Sequence, residues 1–186
     1  MARFPKYTLG TAPEGAKGAL ESAEKEFGMI PNLEAYMADS PPLLKAYGSL
    51  WGLFHEESAF DPVEQQVISL TTSYENNCEY CVSGHSHLAG KAGMDDATLD
   101  ALREGQPLAD ARLEALRRFV SKLTTRRGAV SRADVDEFLA AGYSERHVLD
   151  AILGVALKTI SNYTNHIVGT PLDSHIQASA WKKRVA

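Results

Sequence analysis

The chain has two cysteines, Cys78 and Cys81, in the run Cys78-Glu79-Tyr80-Cys81, with His85 four residues further on. Residues three apart on an α-helix share a face, with Cα atoms about 5 Å apart, inside the span of roughly 4.4–6.8 Å that a disulfide bridges. The two sulfurs can therefore join and separate without moving the backbone. If one helix runs through both residues, His85 lies one turn beyond Cys81, where its imidazole can take the thiol proton. The thiolate is the reactive form. Pairs of this kind, near helix starts or histidines, have pKa values of roughly 3.5–7.5, against about 8.5 for a free cysteine. The chemistry these types and spacing suit is a dithiol that is oxidised and reduced in turn.

The elements that must hold this group read almost entirely as helices. Pro13 to Phe27 is one, stopped by Gly28, and Pro31-Asn32 opens a short second through about Ala38. Ser40-Pro41-Pro42 starts a third, with Leu43, Leu44, Tyr47, Leu50, Trp51 and Phe54 at helical spacing. Asp61-Pro62-Val63-Glu64 joins a cap, a proline at the first helical position and a first-turn carboxylate. Asn76-Asn77 interrupts that helix, since asparagine favours caps and turns. The next helix starts near Cys78 and runs to about Ala92, ahead of Gly93, so both cysteines fall in its first turn, where free N–H groups favour a thiolate. Further helices are expected over 96–104, 108–125, 132–141 and 145–167. Ser131 and Ser144 act as caps, and Gly142 closes the helix before Ser144. On the last helix Val148, Ile152, Ala156, Ile160, Tyr163 and Ile167 form a stripe that is either core or a subunit interface. No segment alternates with the period of a strand, and no linker divides the chain, so a single all-α domain over 1–186 is expected.

Composition restricts partners and compartment. The 186 residues, 44% hydrophobic and 23% charged, are enough for a core without disulfide staples. A net charge of -5 weighs against nucleic acid. The basic run of Arg117, Arg118, Lys122, Arg126 and Arg127 reads as a solvated helix face. The start MARFPKYTLG has no signal-peptide core and no apolar run crosses a bilayer, so no membrane partner and a cytoplasmic location are expected. In that reducing compartment a cysteine pair serves catalysis, sensing or metal more readily than structure.

Pro62-Val63-Glu64 through Ile68-Ser69-Leu70, then Asn77-Cys78-Glu79-Tyr80-Cys81-Val82 and His85, resembles the core motif of the carboxymuconolactone decarboxylase and alkylhydroperoxidase D-like superfamily. The segment Lys158-Thr159-Ile160-Ser161-Asn162-Tyr163-Thr164-Asn165-His166 resembles its peroxidase-related branch. The resemblance implies a multi-helix subunit assembled into trimers or hexamers. It would reduce hydroperoxides through the cysteine pair, with an external dithiol as electron donor and no cofactor. By position, Cys81 matches the peroxidatic cysteine, Cys78 the resolving one and His85 the relay histidine. The glutamate of the family relay falls on Gln66, leaving Glu64 as the nearest acid, equally suited to cap its helix. Tyr80 stands where some members have histidine and reads as a packing aromatic. Asn162 and His166 read as core or interface polar groups.

Three other functions fit the same residues. Cys78, Cys81, His85 and His87 have the types of a Cys₂His₂ zinc site, although on one helix His87 points away from the rest. A cofactor-free decarboxylase of a carboxylated lactone belongs to the same superfamily, but such members generally lack the cysteines. A non-enzymatic redox sensor would use the dithiol as a switch of assembly.

Overall fold

The computed structural model describes residues 4–183, and among them there are helices and no strands. Nine α-helices run in chain order: α1 (Glu14–Phe27), α2 (Asn32–Met37), α3 (Pro41–Gly52), α4 (Pro62–Glu75), α5 (Glu79–Lys91), α6 (Asp96–Glu104), α7 (Ala111–Thr125), α8 (Arg132–Ala140) and α9 (Glu145–Val168). A π-helical turn, Leu53–Glu57, continues α3, and a 3-10 turn, Ser174–Ser179, follows α9. The starts and stops follow the expected chemistry. Gly28, Gly105 and Gly169 end α1, α6 and α9 in the left-handed conformation, and capping boxes open α4 and α8. Helix α7 begins three residues later than the spacing suggests, because Asp110 caps it by accepting from the N–H groups of Arg112 and Leu113.

Helix α4 is the axis of the bundle, buried from Glu64 to Ser73 and packed against α5, α7 and α9. A helix covered on all sides needs no amphipathic stripe. Gln65 reaches back from it to satisfy the carbonyls around the π turn: its Nε2 donates to those of Phe54, His55 and Phe60 at 3.3, 3.2 and 3.1 Å. On the other flank Phe119, Phe138 and Tyr143 stack, with ring centroids 4.5 and 4.3 Å apart.

The stripe expected on α9 divides between the two alternatives: Ile152, Tyr163 and Ile167 face out of the bundle, 50%, 57% and 71% exposed, while Val148 and Ile160 are partly buried against the core. The buried face of α9 consists of Ala151, Gly154, Leu157, Lys158, Ser161, Asn162 and Asn165. Small residues let α9 approach α4 closely, and the polar ones converge on the cysteines. At Gly154 an added Cβ would meet Phe54 Cε2 at 2.7 Å and Ile68 Cγ2 at 2.8 Å, both side chains fully buried. Gly154→Ala is therefore expected to destabilise the protein by about 1–3 kcal/mol. Thermal denaturation measures this, and an unchanged midpoint would mean that Phe54 can give way.

The basic run is neutralised within the fold. Arg117 pairs with Glu114 at 2.6 Å, Arg118 with Glu137 at 2.8 Å, and Lys122 and Arg126 with Asp134 at 2.6 and 2.9 Å. No helix among the described residues is long and apolar enough to cross a membrane.

Candidate functional site

The chain reverses at Asn77, whose φ of 54° lies in the left-handed region that asparagine tolerates. Cys78 then caps α5 and Cys81 sits in its first turn. Both thiols are free and buried, 1% and 3% exposed. Asn165 of α9 serves both, its Nδ2 lying 3.2 Å from Cys81 Sγ and 3.8 Å from Cys78 Sγ. Cys81 also lies 3.6 Å from Ser161 Oγ, within the longer reach of sulfur hydrogen bonds.

The two thiols are electrostatically unlike. Burial alone would raise the Cys81 pKa, but the hydrogen bond from Cys78, the charge of Lys158 and the Ser161 hydroxyl bring it down to about 5. Cys78 moves the other way, pushed up by donating to Cys81 and by burial. The surroundings favour the thiolate at Cys81, which has protein donors beside it, and keep the proton on Cys78.

His85 is 4% exposed and hydrogen-bonded on both sides: Nδ1 to Gln66 Oε1 at 2.8 Å and Nε2 to Lys158 Nζ at 2.6 Å. An ammonium only donates, so Lys158 donates to Nε2, and the ring carries its own proton on Nδ1 and donates it to the Gln66 oxygen. Burial, followed by Lys158 and His55, holds the imidazole pKa well below its ordinary value. His85 is thus a neutral ring that orients Lys158, itself 1% exposed, whose charge also acts on Cys81.

Gln66 is the α4 residue that meets His85. Glu64 is engaged elsewhere. Its carboxylate accepts from the Asp61 N–H at 3.1 Å and the Tyr143 hydroxyl at 3.1 Å, and it pairs with Arg112. This joins the start of α4 to α7 and to the turn before α9, the capping half of its expected role. Tyr80 reaches out of α5 to donate to Asp173 at 2.5 Å. Asn162 holds the end of α4 by accepting from Asn76 at 2.9 Å and donating to Ser73 Oγ at 3.2 Å. His166 lies at the surface, 3.3 Å from the Asn77 carbonyl. His87 turns to His175, and no three histidine, cysteine or acidic side chains among the described residues are grouped to hold a metal ion.

A cavity of about 80 Å³ opens onto Cys81, His85 and Lys158. Its walls are largely apolar, with Phe27, Leu33, Tyr47, Trp51, Leu88 and Ile176 prominent. Two acids also reach it, Glu34 and Asp173. The residues that close it come from α1, α2, α3 and the segment around the 3-10 turn, none of which the cysteine motif announces.

Lys158, Glu34 and Asp173 are the charged groups here to which sequence reasoning assigned no role. A trace of the first two is legible afterwards. Lys158 interrupts the small and polar face of α9, opposite the apolar stripe, and Glu34 is the lone acid between Leu33 and Ala35-Tyr36-Met37.

The sequence model of the carboxymuconolactone decarboxylase family matches residues 41–122, the stretch from α3 into α7. No curated protein matches the chain significantly. Among solved structures, an alkylhydroperoxidase AhpD core, peroxidase-related protein from Ralstonia eutropha JMP134 superposes with a TM-score of 0.83 at 19% identity, covering 94% of this chain and 93% of that one. A peroxidase-related protein from Silicibacter sp. TM1040 gives 0.77 at 22% identity, covering 94% and 92%. A cysteine-to-alanine variant of the debrominase Bmp8, in complex with 2,3,4-tribromopyrrole, gives 0.81 at 19% identity, covering 96% of each chain. At these identities the likeness is one of fold.

Proposed function

For a chain with the carboxymuconolactone decarboxylase family's core at residues 41–122 and an alkylhydroperoxidase D-like fold, we propose the function of a thiol-dependent peroxidase that reduces hydroperoxides through Cys78 and Cys81. The observation that carries this reading is the division between the two thiols at the edge of an apolar cavity. Cys81 has the depressed pKa and borders the cavity, while Cys78 is held protonated behind it. The Cys81 thiolate attacks the terminal peroxide oxygen and becomes a sulfenic acid as the alkoxide leaves. Cys78 condenses with it to a disulfide and water, and an external dithiol restores the pair through a mixed disulfide. His85 and Gln66 serve by holding Lys158 in place. Glu64 has its carboxylate occupied by Asp61, Arg112 and Tyr143 and contributes through the scaffold.

The deciding experiment follows peroxide consumption by purified protein with several organic hydroperoxides and a dithiol. The reading requires repeated turnover and one alcohol formed per dithiol oxidised. Stoichiometric oxidation that stops after one event would indicate a sensor, and no thiol loss would reject both. The debrominase's fold and the aromatic cavity favour one second reading, reductive dehalogenation, in which the thiolate takes halogen from an aromatic ring. Bromide release from a brominated pyrrole in the presence of the same dithiol distinguishes it.

The proposed subunit is also oligomeric, as a trimer or hexamer. Support comes from the apolar ridge of Leu149, Ile152, Tyr163 and Ile167 left uncovered along α9, a type of surface that monomers rarely expose. Ile152→Glu combined with Ile167→Glu is expected to convert the assembly to monomers in analytical ultracentrifugation without loss of helicity. An unchanged sedimentation coefficient would move the interface elsewhere.

A further inference from the structure

Glu34 is 5% exposed, lies on the cavity wall with Cys81 and Lys158, and has a buried Oε2 with no hydrogen-bond partner. A carboxyl that merely braced the fold would have both oxygens paired, as the cost of an unsatisfied buried polar atom is about 1–3 kcal/mol. Glu64, with Asp61, Arg112 and Tyr143 around it, illustrates that arrangement. Helix α2, by contrast, is fastened at its start by Asn32, which donates from its backbone to Asp173 at 3.0 Å and from its side chain to the Pro171 carbonyl at 2.9 Å. The Glu34 side chain is therefore presented to the cavity by a helix anchored without it.

We propose that Glu34 is the general acid of the peroxidase reaction, protonating the alkoxide that leaves when Cys81 attacks. The assignment rests on the peroxidase reading above. The electron count is closed. The Cys81 thiolate gives two electrons to the terminal peroxide oxygen, an S–O bond forms, the O–O bond breaks, and the alkoxide takes the Glu34 proton to leave as alcohol. The Cys78 thiol then displaces hydroxide from the sulfenic acid, its own proton completing a water molecule. The external dithiol reduces the disulfide, and of its two protons one returns to Cys78 and one to Glu34.

Glu34 is suited to hold a proton at neutral pH. Burial first, and Asp173 and Cys81 beyond it, raise its pKa to about 8 against the opposing pull of its own backbone N–H and of Lys158. Tyr47 of α3 and Tyr80 of α5 also act on it, both pushed above their ordinary range first by burial, and His85 of α5, Glu26 of α1 and Lys45 of α3 line cavities with it.

The test uses single-turnover oxidation of the full chain, comparing tert-butyl hydroperoxide, whose alkoxide needs a proton to leave, with a peracid, whose carboxylate does not. At neutral pH Glu34→Gln is expected to slow the alkyl hydroperoxide by about 100-fold or more and leave the peracid rate unchanged. The wild-type protein supplies a second measure that requires no variant. Its rate with the alkyl hydroperoxide should fall as pH rises through about 8, where the acid form of Glu34 is lost, while alkylation of Cys81 by iodoacetamide does not fall. Equal slowing with both oxidants, slowing with neither, or a wild-type rate that stays flat through that range would each overturn the assignment. Wild-type protein inert to all hydroperoxides would instead overturn the peroxidase reading itself.

Discussion

Cys81→Ser is expected to abolish hydroperoxide turnover, whereas Cys78→Ser should let Cys81 be oxidised once and then stall. The asymmetry follows from the environments of the two sulfurs. Cys81 borders the cavity, receives Asn165 Nδ2 at 3.2 Å, and is held down to about 5 against burial by Cys78, Lys158 and Ser161. Cys78 is pushed up by its hydrogen bond to Cys81 and by burial, which suits a thiol that waits to condense with a sulfenic acid. In the Cys78→Ser protein the sulfenic acid has no neighbour with which to condense, so a sulfenic-specific trapping reagent should label Cys81 stoichiometrically, read by mass spectrometry. Label on Cys78 in the reciprocal variant would reverse the order of attack. Full turnover in both variants would remove the cysteines from the mechanism.

Lys158→Met is the next largest effect expected. The lysine is the cation that stabilises the Cys81 thiolate, and methionine keeps much of its length without the charge. Without that charge the Cys81 pKa should rise part of the way toward the ordinary thiol range, with the Cys78 and Ser161 hydrogen bonds still in place, so that the thiolate fraction, and with it the rate, falls roughly 10-fold at neutral pH. The pH profile of iodoacetamide alkylation reports this directly: the inflection should lie at higher pH in the variant than in the wild type. Raising the pH should restore much of the alkylation rate. An inflection that stays in place would assign the low pKa to the hydrogen bonds from Cys78 and Ser161.

The same shift is a stability statement. Cys81 has a folded-state pKa depressed from 9.0 to about 5, so between those values the unfolded chain binds the extra proton. The stability contributed by the thiolate is present above the unfolded value and lost as pH falls through the folded one. In Lys158→Met that part of the slope should flatten, although removal of a buried ammonium also relieves a desolvation cost at every pH.

Much of this arrangement is legible along the chain because helix signals are local. Asp61-Pro62, Ser131, Gly28 and Gly169 act within one turn of themselves, and they set the ends of α4, α8, α1 and α9. The cysteine spacing acts over the same range, as does the interruption at Asn76-Asn77 that leaves Cys78 as the cap of α5. The π turn at Leu53–Glu57 is less apparent, because it depends on Gln65 reaching back from α4 to its carbonyls. The apolar stripe of α9 reads equally as core or interface by periodicity, and packing against α4 leaves Ile152, Tyr163 and Ile167 of it outward.

Sequence alone therefore determined the helical architecture, the placement of two thiols on the first turn of one helix, and an imidazole one turn beyond. The tertiary structure decided which charges those groups meet. Lys158 is 73 residues from His85, Asn165 is 84 from Cys81, and Asp173 is 141 from Asn32, separations over which no helical period carries information. Charge acts through space in a low-dielectric interior, so a lysine and a glutamate brought to one cavity from α9 and α2 act on the protonation of groups there although neither lies in the motif.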